Sequence, residues 1–137
     1  MLKLLSKELN KMKWNSTITK IGQQAIEADG KMVILFSDNV TADLDDVSVI
    51  QKFDDTTPVS QFVFKKGDTI TIDGQTYLAD YVGAMVESNM KALGHITIFF
   101  DQKKPKNPMA NAVYLTYADK QTFPEFNVGD EIIYEHV

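Results

Sequence analysis

Short runs of β-branched and aromatic residues, separated by glycine and aspartate, dominate the chain from Ser16 onward. Such runs are typical of strands, and turns such as Asp73-Gly74 supply the positive φ that tight connections need. The pattern predicts a hairpin in which 75–81 folds back on 69–72. It predicts strands at 17–21, 32–36, 47–53, 62–64, 69–72, 76–82, 96–100, 112–117 and 131–134.

The segment 82–101 has a different pattern, because its first half follows a helical period. Four apolar residues lie close to one helical face: Met85, Val86, Met90 and Leu93. Gly94 follows where a helix would end, since a residue without Cβ readily takes the left-handed conformation. The segment therefore predicts a short helix, then His95, then a buried strand.

Residues 1–13 carry leucine and methionine at helical spacing, with lysines between them. This pattern predicts an amphipathic N-terminal extension, helical in form. We expect it to be appended to a single domain that covers 14–137, a size typical of one domain.

Three short segments recur at offsets between 61 and 64 residues. The matches join 18–22 with 79–83, 32–36 with 96–100, and 67–70 with 129–132. They indicate two similar halves, about 16–74 and 75–137, each too small to bury its own apolar face. The predicted fold is mainly β: a small barrel or sandwich built from two similar halves, with one or two short helices. Exposed edge strands in such a fold would also allow a homodimer.

Composition removes several classes of function. The chain has 137 residues, no cysteine and a net charge of −5, and its 14 basic residues are all lysine. Disulfides, thiolate metal sites and cysteine nucleophiles are therefore excluded, and nucleic acid is not an expected partner. No apolar run reaches the roughly 20 residues that span a bilayer. We expect a cytoplasmic protein with no direct membrane insertion.

Few side chains in this sequence could carry chemistry. His95 is the stronger histidine candidate, because His136 is the penultimate residue and chain ends are usually mobile. The acidic residues Asp43, Asp45 and Asp46 do not have the spacing of a calcium loop and predict a solvated acidic loop. No phosphate loop or zinc motif is present, so no cofactor and no metal are expected.

The assembled motifs resemble a known family, the glucitol/sorbitol-specific IIA component of the bacterial phosphotransferase system. The resemblance covers about 14–135. It rests on Ser16-Thr-Ile-Thr-Lys-Ile-Gly22, on Ala42-Asp-Leu-Asp-Asp46, on Glu87-Ser-Asn-Met-Lys-Ala-Leu-Gly-His-Ile-Thr-Ile98 and on the Gly129-Asp130 strand.

The resemblance implies a cytoplasmic carrier in which a histidine takes a phosphoryl group from the histidine phosphocarrier protein. The carrier then passes this group to the IIB domain of a transporter that also has a IIC domain. The family's acceptor histidine is expected on the strand after 42–46, at the position that reads Gln51 here. His95 is then the remaining candidate acceptor, with Lys91 or Lys52 to neutralise the phosphate.

Two other hypotheses remain open. One is a non-phosphorylated binding or regulatory protein on the same fold, favoured by Gln51. The other is a small β-barrel that binds a ligand in a pocket.

Overall fold

The computed structural model describes residues 11–137, which form eight strands and short helices. The elements are β1 (Met12–Ile21), β2 (Met32–Phe36), α1 (Ala42–Asp45), β3 (Val49–Phe53), a 3₁₀ helix (Val59–Gln61), β4 (Thr69–Ile72), β5 (Gln75–Val82), α2 (Val86–Leu93), β6 (Ile96–Phe100), β7 (Ala112–Thr116) and β8 (Glu131–His136).

The strands form one closed barrel in the order β1-β3-β2-β6-β7-β5-β4-β8. This arrangement confirms the mainly β class and selects the barrel over the sandwich. Closure is made by β1 and β8, which pair antiparallel from Met12 opposite His136 to Thr17 opposite Glu131. Every strand of the part described here thus has two neighbours, and the unpaired edges on which the homodimer prediction relied are not present in 11–137.

The two halves of the barrel have the same pairing pattern. In the first half β1 pairs antiparallel with β3 and β3 pairs parallel with β2; in the second, β5, β7 and β6 repeat this arrangement. The β1·β3 ladder shifts register between Ile18 and Lys20, and the β5·β7 ladder shifts between Ala79 and Tyr81, 61 residues later. The sequence matches between the halves thus fall at equivalent positions of the barrel.

The Gly-Asp turns also occupy equivalent places. Gly129 N–H donates to Ile18 O at 2.8 Å, and Gly67 N–H donates to Ala79 O at the same distance. Each turn leads into the last strand of its half, but that strand pairs with the other half. β4 lies between β5 and β8, and β8 lies between β1 and β4, so the halves exchange their last strands.

The prediction of a strand at 62–64 is wrong. Phe62 and Phe64 are fully buried, but they follow the 3₁₀ helix as irregular chain. Their rings pack against the barrel interior, with the Phe62 centroid 5.1 Å from Trp14 and 5.5 Å from Tyr134. Irregular chain whose rings fill the barrel interior and a buried strand both need apolar residues. The short apolar run therefore did not distinguish one from the other.

Two other local predictions differ from the structure. Ala42–Asp45 forms the short helix α1 instead of the predicted acidic loop. Residues 1–10 of the predicted N-terminal helix lie outside the described residues, while Met12 and Lys13 belong to β1. Cross-strand pairing with β8 sets their conformation, and the local helical spacing does not predict it.

The helix α2 is present, and Gly94 ends it in the left-handed conformation with φ of 59°. Its buried face is narrower than predicted. Val86 and Met90 are buried, whereas Met85 and Leu93 are 47% and 44% exposed. Met85 precedes the first helical residue, so the helical period does not bring it under the helix.

Candidate functional site

Gln51 lies inside the barrel on β3, and only 1% of its surface is exposed. Its Oε1 accepts hydrogen bonds from Ser16 Oγ and from Tyr134 OH, both at 2.7 Å. Its Nε2 donates to Gly94 O at 3.0 Å. The amide thus joins β1, β3, β8 and the end of α2 in one buried network, as buried polar groups require.

The donors of this network are held in their neutral forms. Burial raises the pKa of Tyr134 above its usual value, so the phenol keeps the proton that it donates to Gln51. Ser16 is also buried, with 1% exposure. A hydroxyl and a phenol that both donate leave Gln51 Oε1 in the acceptor role.

A cavity of about 260 Å³ opens beside Gln51, between the end of β3 and the C-terminal turn of α2. Lys52 and Lys91, the two lysines that the sequence analysis named, both line it, and both are exposed. The exposed Asp38 lines it as well. The structure therefore brings these lysines together with Gln51, and His95 is not among the residues that line this cavity.

His95 lies immediately before β6 and is half-buried. Its Nδ1 is 3.0 Å from Leu35 O, so this nitrogen donates the proton. Its Nε2 then accepts from Asn111 Nδ2, at 2.7 Å. The ring also stacks on Phe36, with centroids 3.9 Å apart and planes 11° from parallel. Both ring nitrogens of a neutral imidazole are thus used by the protein itself.

Asn111 is a site residue that the sequence analysis missed. It also donates to Thr97 Oγ1 at 3.3 Å, so it bridges His95 and the outer face of β6. The residue ends a long irregular loop, where periodicity gives no information. Only the parallel register, which sets Thr97 opposite Ala112, brings Asn111 close to His95.

His136 is ordered in β8, in contrast to the expectation of a mobile chain end. Its Nδ1 lies 2.7 Å from Oδ2 of Asp68, a carboxylate with 4% exposure. Asp68 also accepts from the backbone N–H groups of Lys65 and Val137. The contact pins the last strand to the turn before β4, which is a structural role.

The acidic residues near α1 do not form a metal site. Asp45 pairs with Lys20, and Asp43 is exposed. Within 11–137 no three or more His, Cys, Asp or Glu side chains are grouped so that they could hold a metal ion. No helix in the same residues is long and apolar enough to cross a membrane.

Residues 13–133 match the family model described as the glucitol/sorbitol-specific IIA component of the phosphotransferase system. The chain belongs to this family. A glucitol/sorbitol-specific EIIA component of Escherichia coli K12 is 30% identical over 89 residues, which cover 64% of this chain and 69% of that protein. The corresponding Shigella flexneri protein is 29% identical over the same shares.

A solved structure agrees with this assignment. The crystal structure of a phosphotransferase-system IIA component from Enterococcus faecalis V583 superposes with a TM-score of 0.76 at 30% identity. The match covers 88% of this chain and 98% of that one. Membership in the IIA family implies partnership with the IIB components of sugar transport.

Proposed function

We propose that this IIA component binds its phosphotransferase-system partners without carrying a phosphoryl group itself. The observation that carries the proposal is Gln51, at the position where the resemblance expects the acceptor histidine. An amide nitrogen has its lone pair delocalised into the carbonyl, so it is not a nucleophile that could accept a phosphoryl group. The hydrogen bonds of Gln51 to Ser16, Tyr134 and Gly94 give the amide a structural role instead.

The geometry of His95 supports the same proposal. Attack by Nε2 would require the loss of the 2.7 Å hydrogen bond from Asn111. Lys52 and Lys91 line the cavity beside Gln51, and His95 is not one of its lining residues. Phosphoryl transfer depends on positioning and on charge stabilisation, and the cavity that both lysines line is not lined by His95.

Binding would use the open side of the same cavity. Lys52, Lys91 and Leu93 are exposed around it and at the end of α2. The proposed partners are the histidine phosphocarrier protein and the IIB and IIC domains of a sugar transporter, met in the cytoplasm. Exposed charges steer the encounter of two proteins, and an exposed apolar side chain adds apolar area to the contact.

A second candidate is phosphoryl relay through His95, and one observation favours it. Because Nδ1 donates to Leu35 O, Nε2 is the ring nitrogen that carries the electron pair, and it would become a nucleophile once Asn111 Nδ2 moves away from it. In that case His95 would accept the phosphoryl group from the phosphocarrier protein and pass it to the IIB domain.

The two candidates are separated by intact-mass measurement. The purified chain is incubated with phosphoenolpyruvate, enzyme I and the phosphocarrier protein, then weighed at neutral pH and after mild acid. We expect no mass gain in the wild type, His95→Gln or His136→Gln, in a mixture that phosphorylates a family member with its acceptor histidine. An acid-labile gain in the wild type that His95→Gln abolishes would refute our proposal and establish the relay.

Binding is measured separately, by titration calorimetry with the phosphocarrier protein and with the IIB domain. We expect Lys52→Ala and Lys91→Ala to weaken at least one of these complexes, with Lys120→Ala as the control, since Lys120 lies in an exposed turn and does not line the cavity. Absence of binding to both partners would contradict a docking function.

A further inference from the structure

The outer side of α2 is open to solvent at the end of the barrel where the cavity beside Gln51 lies. Val86 and Met90 are the buried residues of the helix, whereas Ser88, Ala92 and Leu93 are exposed. Ala92 also lines the cavity beside Gln51. The exposed side of the helix is therefore continuous with that cavity.

Large apolar side chains are exposed at both ends of this helix. Met85, just before its first residue, is 47% exposed, and Leu93, its last residue, is 44% exposed. The Met85 N–H donates to Ala110 O at 2.8 Å, which brings the neighbouring Met109, 48% exposed, to the start of the helix. Ala92 and Ala110 are exposed as well. We call Met85, Ala92, Leu93, Met109 and Ala110 the α2 patch.

The α2 patch has the properties of a protein-binding surface. Single exposed apolar side chains are normal, but several of them on one surface indicate an interaction site. Methionine suits such a surface, because its unbranched side chain adapts to the shape of a partner. The eight residues of α2 extend about 12 Å, so one partner domain can contact the patch and the adjoining cavity together.

The charges beside the patch define the chemistry of the partner. Glu87 of the same helix is already paired with Lys65, at 3.0 Å. Within residues 11–137 Lys91 makes no ion pair, and neither does Lys52 across the cavity, where the exposed Asp38 offsets one of the two charges. A net positive charge thus borders the patch in a chain whose net charge is −5. Carboxylates around an apolar contact surface would complement it.

We propose that the IIB component docks on the α2 patch, through an apolar surface bordered by carboxylates. Membership in the IIA family implies this partner. Met85, Leu93 and Met109 form the centre of the contact and Lys91 lies at its rim, the usual arrangement of an apolar centre and a polar edge. This inference rests on the docking function proposed above and adds to it the surface, the partner and the chemistry of the partner's contact.

The test is titration calorimetry of the full chain with the purified IIB domain. The double variant Met85→Ser/Met109→Ser and the single variant Leu93→Ser should each weaken binding about tenfold or more, because they remove side chains from the centre of the interface. Thermal unfolding followed by circular dichroism checks that both variants are folded.

Leu44→Ser is the matched control and should leave the affinity within about twofold of the wild type. Leu44 is 40% exposed and also lies on a helix, α1. α1 precedes β3 and α2 precedes β6; β3 is parallel to β2, and β2 is antiparallel to β6. The two helices therefore lie at opposite ends of the barrel.

The outcomes separate this inference from the docking function. If the IIB domain binds and the variants of the α2 patch weaken it no more than Leu44→Ser does, the inference is wrong and the docking function stands. If neither the IIB domain nor the phosphocarrier protein binds the wild type, both are wrong. Weaker binding of the phosphocarrier protein alone, with unchanged affinity for the IIB domain, would assign the patch to the other partner and overturn the inference.

Discussion

The amide of Gln51 forms buried hydrogen bonds that no apolar side chain could form at its position. It satisfies the hydroxyls of Ser16 and Tyr134 and the carbonyl of Gly94 in the barrel interior, three groups that come from separate elements. An unsatisfied buried polar group costs more than the net gain of its hydrogen bond. The residue that replaces the expected acceptor histidine is therefore part of the fold's stability.

Replacement of Gln51 by leucine should lower the free energy of unfolding by about 2–4 kcal/mol, because it leaves these three groups without partners. Urea denaturation of both proteins measures the difference. The triple variant with Ser16→Ala and Tyr134→Phe is the control, and it should recover part of the loss because the orphaned hydroxyls are gone. A destabilisation that the triple variant does not reduce at all would contradict the network's energetic role.

Burial raises the pKa of several tyrosines, and the shifts are largest for Tyr77 and Tyr134, so these two phenols dominate the loss of stability in alkali. Burial is the main cause that raises the pKa of both Tyr77 and Tyr134 above the ordinary value of 10.0. The folded chain keeps these protons at a pH where the unfolded chain has released them. The free energy of unfolding therefore falls as the pH rises. Their stabilisation is complete below pH 10 and is lost above it, by about 1.4 kcal/mol per pH unit for each phenol.

Tyr77→Phe should make this alkaline loss shallower, since one of the two phenols with the largest pKa shifts no longer titrates. Urea denaturation between pH 8 and pH 11.5, of the wild type and of the variant, measures the slopes. The variant should be less stable than the wild type at pH 8, because the hydrogen bond of the Tyr77 hydroxyl to Thr122 O at 2.7 Å is lost. Parallel curves above pH 10 would contradict the assignment.

At the scale of elements, two glycines allow the bulged strands to leave the barrel. A Cβ on Gly22 would lie 2.3 Å from Asp45 O, and one on Gly83 would lie 2.1 Å from Ala110 O. These positions are 61 residues apart, and each follows the register shift of its strand. In each half, the main chain at the glycine thus lies against a main-chain carbonyl of another segment.

Gly83→Ala should destabilise the protein by about 3 kcal/mol or more, because carbonyl groups of the main chain cannot move aside easily. Gly74→Ala is the matched control. Gly74 has φ of 71° but no atom within 4 Å of a Cβ, so only the backbone strain of about 1–2 kcal/mol should appear. Thermal unfolding followed by circular dichroism compares the two, and equal losses would argue against the steric explanation.

The strands and the site residues differ in how well the sequence alone predicts them. Alternation and turn residues predicted β2, β4 and β6 with their exact bounds, because their side chains meet only the local demands of a buried strand. The phenylalanines at 62 and 64 are also apolar and buried, but they are not part of a hydrogen-bonded strand, so the same pattern predicted a strand wrongly. At the site, the sequence identified His95, Gln51 and the two lysines but missed Asn111, because long-range register alone brings it to the imidazole.

At the scale of the whole molecule, the exchange of last strands makes each half depend on the other. β4 finds both its neighbours in the second half, and β8 finds both of its own in the first. A half alone would keep a three-stranded sheet with one strand unpaired. Such a fragment exposes its edges and half of its core, which a closed barrel avoids.

Fragments 1–74 and 75–137, expressed separately, should therefore each lack cooperative thermal unfolding and should regain it on mixing. The cut removes only the connection between β4 and β5, whose ladder can re-form between fragments from Thr69 opposite Leu78 to Ile72 opposite Gln75. Size-exclusion chromatography with light scattering should give a one-to-one complex. The control carries Gly83→Ala in the second fragment and should assemble more weakly. A fragment that unfolds cooperatively alone would mean that its own three-stranded sheet suffices, and that the strand exchange adds stability without being required for folding.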